Sequence, residues 1–241
     1  MYSRRWEYRE TRILVKANCK EAVEAAIRGA WRARVEVEKY ALRYPVFRYS
    51  LEPIKLRGKH PRVIELMLEA SEAAGVGPFA AVAGAVAQVS CESGMLGENT
   101  SILVENGGDI QLMGRGRFVV GIYAGASPLS GRIAFRVERS DMPAGICTSS
   151  GTVGPSLSFG ESDATTVVAD EASLADAAAT SIGNEIRGEP EESIKRGLEK
   201  FERIPGLRGC LIIRGKLAGM AGRLPELLPA SRKTLKELDF V

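Results

Sequence analysis

The chain has 241 residues, 45% of them hydrophobic and 26% charged, with 26 glycines and a formal net charge of +3. This composition describes a globular protein large enough to bury a substantial core, expected as one domain over residues 1–241 or as two intimately packed lobes. Lysines and arginines are interspersed with acids, which excludes a nucleic-acid footprint, and the most apolar stretch, Val76 to Val89, is too short and too rich in alanine and glycine to span a bilayer.

The opening segment MYSRRWEYRETRILVKANC carries charges throughout and no apolar h-region, so neither a secretory nor a lipoprotein signal is expected ahead of Cys19, and the expected compartment is the cytoplasm. Trp6 to Val15 reads as one strand. Asn18 followed by Glu21 gives a capping-box signal for a long helix, on which Val23, Ile27, Ala30, Trp31, Val35 and Leu42 keep helical spacing until Pro45 stops it. A second helix starts near Pro61, buries Val63, Ile64, Met67, Leu68 and Ala74, and ends at Gly75; an alanine-rich buried helix follows.

From about Thr100 the texture becomes strand-like: SILVENGGDIQLM, RFVVGIYAG and GRIAFRVER are short, β-branched and punctuated by glycine. Ala144 to Thr148 and Ala164 to Ala169 predict further strands. Ser173 to about Ile186 and Glu191 to Glu202 predict helices, and Cys210 to Met220 a hairpin turning at Gly215. The fold class expected is α+β, with a mixed or antiparallel sheet and flanking helices.

Three places carry chemistry. In Glu105-Asn106-Gly107-Gly108-Asp109 the paired glycines let the backbone turn sharply and approach a ligand, with Asp109 at the exit; a plain tight turn is the alternative. In the stretch Thr148, Ser149, Ser150, Gly151, Thr152, Gly154, Ser156 and Ser158, main-chain N–H groups can converge on an anion. Asp176 and Thr180 lie four apart on one helical face and can offer two oxygens to a hard cation, although Ser173 and Asp176 also form a capping box by themselves.

The four cysteines, Cys19, Cys91, Cys147 and Cys210, show no CxxC pair or Cys/His ligand spacing, so they are expected as free thiols rather than zinc ligands or disulfides. Cys147 opens the hydroxyl-rich loop. It is a candidate catalytic thiolate whose pKa a nest of N–H groups would lower, or else a buried small hydrophobe. His60 is the only histidine and sits beside Pro61, which leaves a Ser-His-Asp mechanism dependent on one residue in a loop.

Three ordered segments resemble the ApbE-like superfamily, specifically a short cytoplasmic branch of it. ENGGDI followed by VVGIYAG is similar to the family's Asn-x-Gly-Gly-Asp segment and next strand, CTSSG to its Thr-Ser-Gly segment, and TTVVADEASLADAAATSIGN to its strand leading into Ala-Asp-Ala-x-x-Thr. The similarity runs from about Gly75 to Asn184. It implies an ApbE-like fold, a phosphate-containing small-molecule partner such as FAD or FMN, and Mg2+ at Asp176 and Thr180 with help from a main-chain carbonyl. It leaves a homo-oligomer open.

Two departures argue against FMN transfer to a protein: Val82-Ala83-Gly84 has alanine where the family has lysine, and Gly154 to Gly160 lacks the family's His-x-x-Asp-Pro. Two alternatives accompany the ligand-binding reading. Resemblance to branch members connected with sulfide assimilation implies a sulfur carrier using Cys147 or another thiol, and a vestigial site implies a non-enzymatic interaction protein.

Overall fold

The computed structural model describes residues 1–151 and 159–230. Eleven strands and six α-helices are arranged among them. The strands β1 (Tyr2–Tyr8), β2 (Thr11–Ala17), β3 (Ile102–Asn106), β4 (Asp109–Met113), β7 (Ala144–Ser149), β8 (Ala164–Ala169), β9 (Leu207–Arg214) and β10 (Leu217–Gly222) form one sheet in that spatial order. Every neighbouring pair in it is antiparallel. A smaller antiparallel sheet runs β11 (Glu226–Pro229), β6 (Ile133–Val137), β5 (Phe118–Gly121).

The helices are α1 (Lys20–Arg43), α2 (Pro45–Tyr49), α3 (Arg62–Ala74), α4 (Val82–Gly94), α5 (Ala172–Gly183) and α6 (Pro190–Arg203), with a 3-10 turn over Pro78–Ala81 ahead of α4. They cover one face of the large sheet, and the small sheet covers part of the other. Strand alternation divides the side chains between two cores: Val104, Cys147 and Val167 face the helices, whereas Leu103, Ile146 and Val168 face Phe118, Phe135 and Val137 of the small sheet. Covered on both sides, β8 reads as an unbroken buried run, ATTVVA.

The α+β class and the antiparallel sheet agree with expectation, and four local expectations are corrected. Trp6 to Val15 is a hairpin, not one strand, because Arg9 adopts φ 53° and reverses the chain between β1 and β2 without a glycine. Asn18 caps nothing. Its side chain instead bridges to Asn99 O (2.7 Å) and Ser101 N (3.1 Å), tying the end of β2 to the approach to β3.

The buried stripe of α1 runs through Ala22, Val23, Ala26, Ile27, Ala30, Ala33, Val37 and Ala41, which leaves Trp31 (52% exposed) and Leu42 (82%) in solvent. Strand β11 was not expected from the sequence. Gly75, with φ 72°, does close α3 in the left-handed conformation. Among the described residues no single helix is long and apolar enough to cross a membrane. The α3 and α4 segments pass that test only as a pair bent by 110°, and the apolar faces of both are buried in the core.

Candidate functional site

The site lies where the β3–β4 turn, the start of α4 and the middle of α5 converge. Gly107 (φ 66°) and Gly108 (φ 106°) reverse the chain so that Asn106 and Asp109 face each other across the ladder. Asn106 Nδ2 donates to Ala83 O at 3.1 Å, which fixes the turn against the first turn of α4. Asp109 pairs across β4–β7 with Cys147, so both side chains point to the helical face.

Helix α5 approaches from the other side. Gly84 permits the contact: a Cβ there would stand 2.2 Å from Ala172 O and 2.7 Å from Asp176 Cβ. At that separation Gly84 N–H, one of the orphan donors of the α4 N-terminus, donates to Asp176 Oδ2 at 2.8 Å. Asp176 is therefore a cap for a neighbouring helix, not for its own. The N-cap of α5 is Glu171, and Ser173 turns its hydroxyl to Gln88 Oε1 at 2.9 Å.

Asp109 and Asp176 line one cavity of about 410 Å³, together with Thr180 and Asn184 one and two turns along α5. Apolar groups form much of its remaining wall, among them Leu51, Val76, Phe79, Val82 and Phe159, and Arg48 and Tyr49 line it as well. Burial raises the pKa of both carboxyls. For Asp109 the rise is large, and the charge of Asp176 adds to it; Asp176 rises to about 7, with the Gly84 and Ala83 N–H groups holding it from going higher. Asp109 Oδ1 is buried without a hydrogen-bond partner among the described residues. A carboxylate oxygen left bare beside a second carboxylate invites a cation, and the carboxylates with the Thr180 hydroxyl make a hard-oxygen donor set suited to a divalent ion such as Mg2+.

The structure brings Asp109, Asp176 and Thr180 together; of the hydroxyl-rich segment's described residues, Thr148 donates its main-chain N–H to the Asp109 carboxyl, and none lines the cavity. Thr148 lies on the opposite face of the sheet, its hydroxyl 2.9 Å from that of Thr166. Gly151 spends its N–H on Ser162 O at 3.0 Å and presses on Gly160, where a Cβ would meet a carbonyl oxygen at 1.9 Å. Close backbone approach, not anion binding, explains these glycines. Ser149 is buried, and neither it nor Ser150 lines the cavity. Asn106, Gly107 and Gly108 shape the turn without lining it. Thr152, Gly154, Ser156 and Ser158 lie outside the described residues.

Cys147 is a further correction. Its thiol is fully buried, donates to Ala172 O at 3.3 Å, and has its pKa pushed up by burial and by the neighbouring carboxylates, opposite to the lowering expected of a reactive thiolate. Burial likewise pushes the Cys210 thiol up to about 12 and that of Cys91 upward. A sulfur carrier needs an accessible thiolate, so Cys147 loses that role. His60 is spent on the Tyr40 hydroxyl (2.9 Å) and Leu56 O (3.2 Å).

Sequence reading missed Arg48, Tyr49, Phe79, Phe159 and Asn184. Asn184 ends the segment that carries Asp176 and Thr180, one helical turn past Thr180, and could have been found by continuing that face.

Set beside known proteins, this sequence and fold fall in one class. The protein family described as AbpE bacteria matches residues 3–200. A UPF0280 protein of Methanococcus vannielii is 39% identical over 235 residues, covering 97% of this chain and 95% of its own, and one of Methanocaldococcus jannaschii is 39% identical over 241 residues, covering 98% of each. The chain belongs to the ApbE-like family, on the branch these UPF0280 proteins represent. The ApbE protein of Thermotoga maritima superposes with a TM-score of 0.59 at 12% identity over 97% of this chain and 98% of that one. The flavinyl transferase ApbE of Pseudomonas stutzeri superposes with 0.58 at 14% over 98% and 96%.

Proposed function

We propose that the protein binds a flavin nucleotide, FAD or FMN, together with a divalent metal such as Mg2+, in the cavity between α4, α5 and the β3–β4 turn. The observation that carries the reading is the bare, buried Oδ1 of Asp109 in the same cavity as Asp176. Asp109, Asp176 and Thr180 would hold the metal, which when bound neutralises charge on phosphate oxygens. The family membership and the flavinyl transferase activity named for the Pseudomonas stutzeri neighbour support a flavin as the organic part.

Each protein group has a definite task in this reading. Asp109 and Asp176 give up the proton that burial favours and become the anionic ligands. The Gly84 N–H keeps one oxygen of Asp176 occupied and so aims the other at the ligand. The apolar wall of Phe79, Val82 and Phe159 accepts a planar ring and excludes water from it. The proposal stops at binding: α4 begins Val82-Ala83-Gly84, and among the described residues no lysine lines the cavity.

Calorimetric titration of the purified protein with FAD in the presence of Mg2+ tests it. Binding heat that disappears in Asp176→Ala and in EDTA is expected. A flat wild-type titration, or one unaffected by both treatments, overturns the reading.

A further inference from the structure

Arg48 is the one cationic side chain among the described residues of the cavity lining. Most arginines that approach acids in this protein are paired, as Arg34 is with Glu10 and Glu38, and Arg62 with Glu92 and Glu171. Arg48 pairs with no carboxylate among the described residues; its guanidinium contacts aromatic rings instead, with its carbon 5.6 Å from the Tyr49 centroid and 6.0 Å from that of Phe79.

The Phe79 ring is anchored, whereas Tyr49 is exposed. Phe79 meets fully buried Phe47 edge-on at 5.6 Å, and Phe47 meets Tyr40 edge-on at 4.9 Å, so the surface on which the guanidinium rests is continuous with the core. An arginine held against aromatic faces keeps its N–H edges free and loses less freedom when it grips an anion, and its planar fork matches two phosphate oxygens at once. The same cavity is lined by a cation on α2, carboxylates on β4 and α5, and apolar side chains.

We propose that Arg48 is the anion-binding residue of this cavity and selects ligands in which an aromatic ring system is joined to a phosphate or pyrophosphate group. The inference rests on the flavin-nucleotide reading above and deepens it: Arg48 holds phosphate oxygens from α2, and Asp109 and Asp176 would hold a metal in the same cavity. A nucleotide is then preferred over its dephosphorylated counterpart because only the nucleotide offers the guanidinium an anion.

The test compares FAD with riboflavin, which carries the same ring system without phosphate, by flavin fluorescence titration in Mg2+ at low and moderate salt. Arg48→Gln is expected to weaken FAD by about tenfold to a hundredfold, the range for a lost charged hydrogen bond. It should flatten the salt dependence and leave riboflavin within about twofold of wild type. Arg48→Lys, which keeps the charge and loses the fork, should fall between. Circular dichroism and direct Mn2+ binding should be unchanged in both variants.

Wild-type protein that binds FAD with Mg2+ while Arg48→Gln binds it equally well overturns the role of Arg48 and leaves the flavin reading standing. Equal loss of FAD and riboflavin in Arg48→Gln also overturns it, because the side chain would then be acting on the ring. Wild-type protein without metal-dependent FAD binding overturns both.

Discussion

Two carboxyl groups in one cavity, Asp109 buried and Asp176 half-buried, should destabilise the metal-free protein as pH rises, and the sign follows from their shifted pKa values. Asp176 has an ordinary value of 3.8 in the unfolded chain and about 7 in the folded one. Between those pH values the folded protein keeps a proton that the unfolded chain has released, so the unfolding free energy falls with increasing pH. The contribution is fully present below about pH 4 and lost by about pH 7. At roughly 1.4 kcal/mol per pH unit, a separation of about three units gives a ceiling near 4 kcal/mol. Water in the cavity reduces it.

The assay is urea unfolding in EDTA at pH 4.5, 5.5, 6.5 and 7.5 for wild type, Asp109→Asn and Asp176→Asn. Other carboxyls titrate in every variant, so the informative quantity is the difference between curves. Each amide variant should gain on wild type as pH rises, by about 1 to 3 kcal/mol at pH 7.5, because it retains an uncharged side chain where wild type must bury a charge. Saturating Mg2+ should reverse the order at pH 7.5, since the ion binds only the folded wild type. Parallel curves for wild type and both variants across the whole range would refute the coupling between the carboxyls and the fold.

Other outcomes are expected from the packing. Gly84→Ala should lower stability by about 1 to 3 kcal/mol or more, because its Cβ would stand 2.2 Å from Ala172 O, while Gly97→Ala, whose Cβ meets nothing within 4 Å, should be nearly neutral; thermal unfolding compares them directly. Thiol reagents on the native protein should modify Cys19, which is half-buried, well before Cys91, Cys147 and Cys210, which are buried; peptide mapping that found Cys147 modified first would contradict its place in the core.

How much the sequence reveals depends on the range over which its signals act. Strand β8 was bounded correctly at Ala164 and Ala169, and the β3–β4 hairpin was found from its paired glycines, because alternation and turn chemistry are local. The β1–β2 turn was missed because Arg9 adopts a positive φ with no glycine to announce it. Asn18 misled because a capping residue and a residue that bridges two strands look alike in sequence. At the site, the four-residue spacing of Asp176 and Thr180 was visible on one helix. The convergence of Asp176 with Asp109 was not, since those residues are joined only by long-range links: the β4–β7 and β7–β8 ladders, the close contact at Gly84, and the hydrogen bonds of Gln111 to Ala172 and Asn106 to Ala83. The loop glycine Gly151 was misread for a related reason: glycine answers equally to an anion and to a neighbouring carbonyl, and only the fold distinguishes them.

The same contact explains how the site stays formed without a ligand. A carboxylate partly withdrawn from water is costly, yet the half-buried Asp176 spends Oδ2 on an α4 N–H that would otherwise lack a partner, so helix end and acid satisfy each other. Asp109 has no equivalent donor for Oδ1. The two acids therefore divide the work: Asp176 holds α4 against α5 and fixes the geometry, while Asp109 carries the unmet demand for positive charge. A ligand that brings a cation relieves Asp109 without breaking the Asp176 bond, so binding is expected to need little rearrangement of α4 or α5. Hydrogen exchange at Gly84 measures this, because its amide should be protected with and without Mg2+; protection that appeared only on adding metal would mean that the cap, and with it the cavity, is assembled by the ligand.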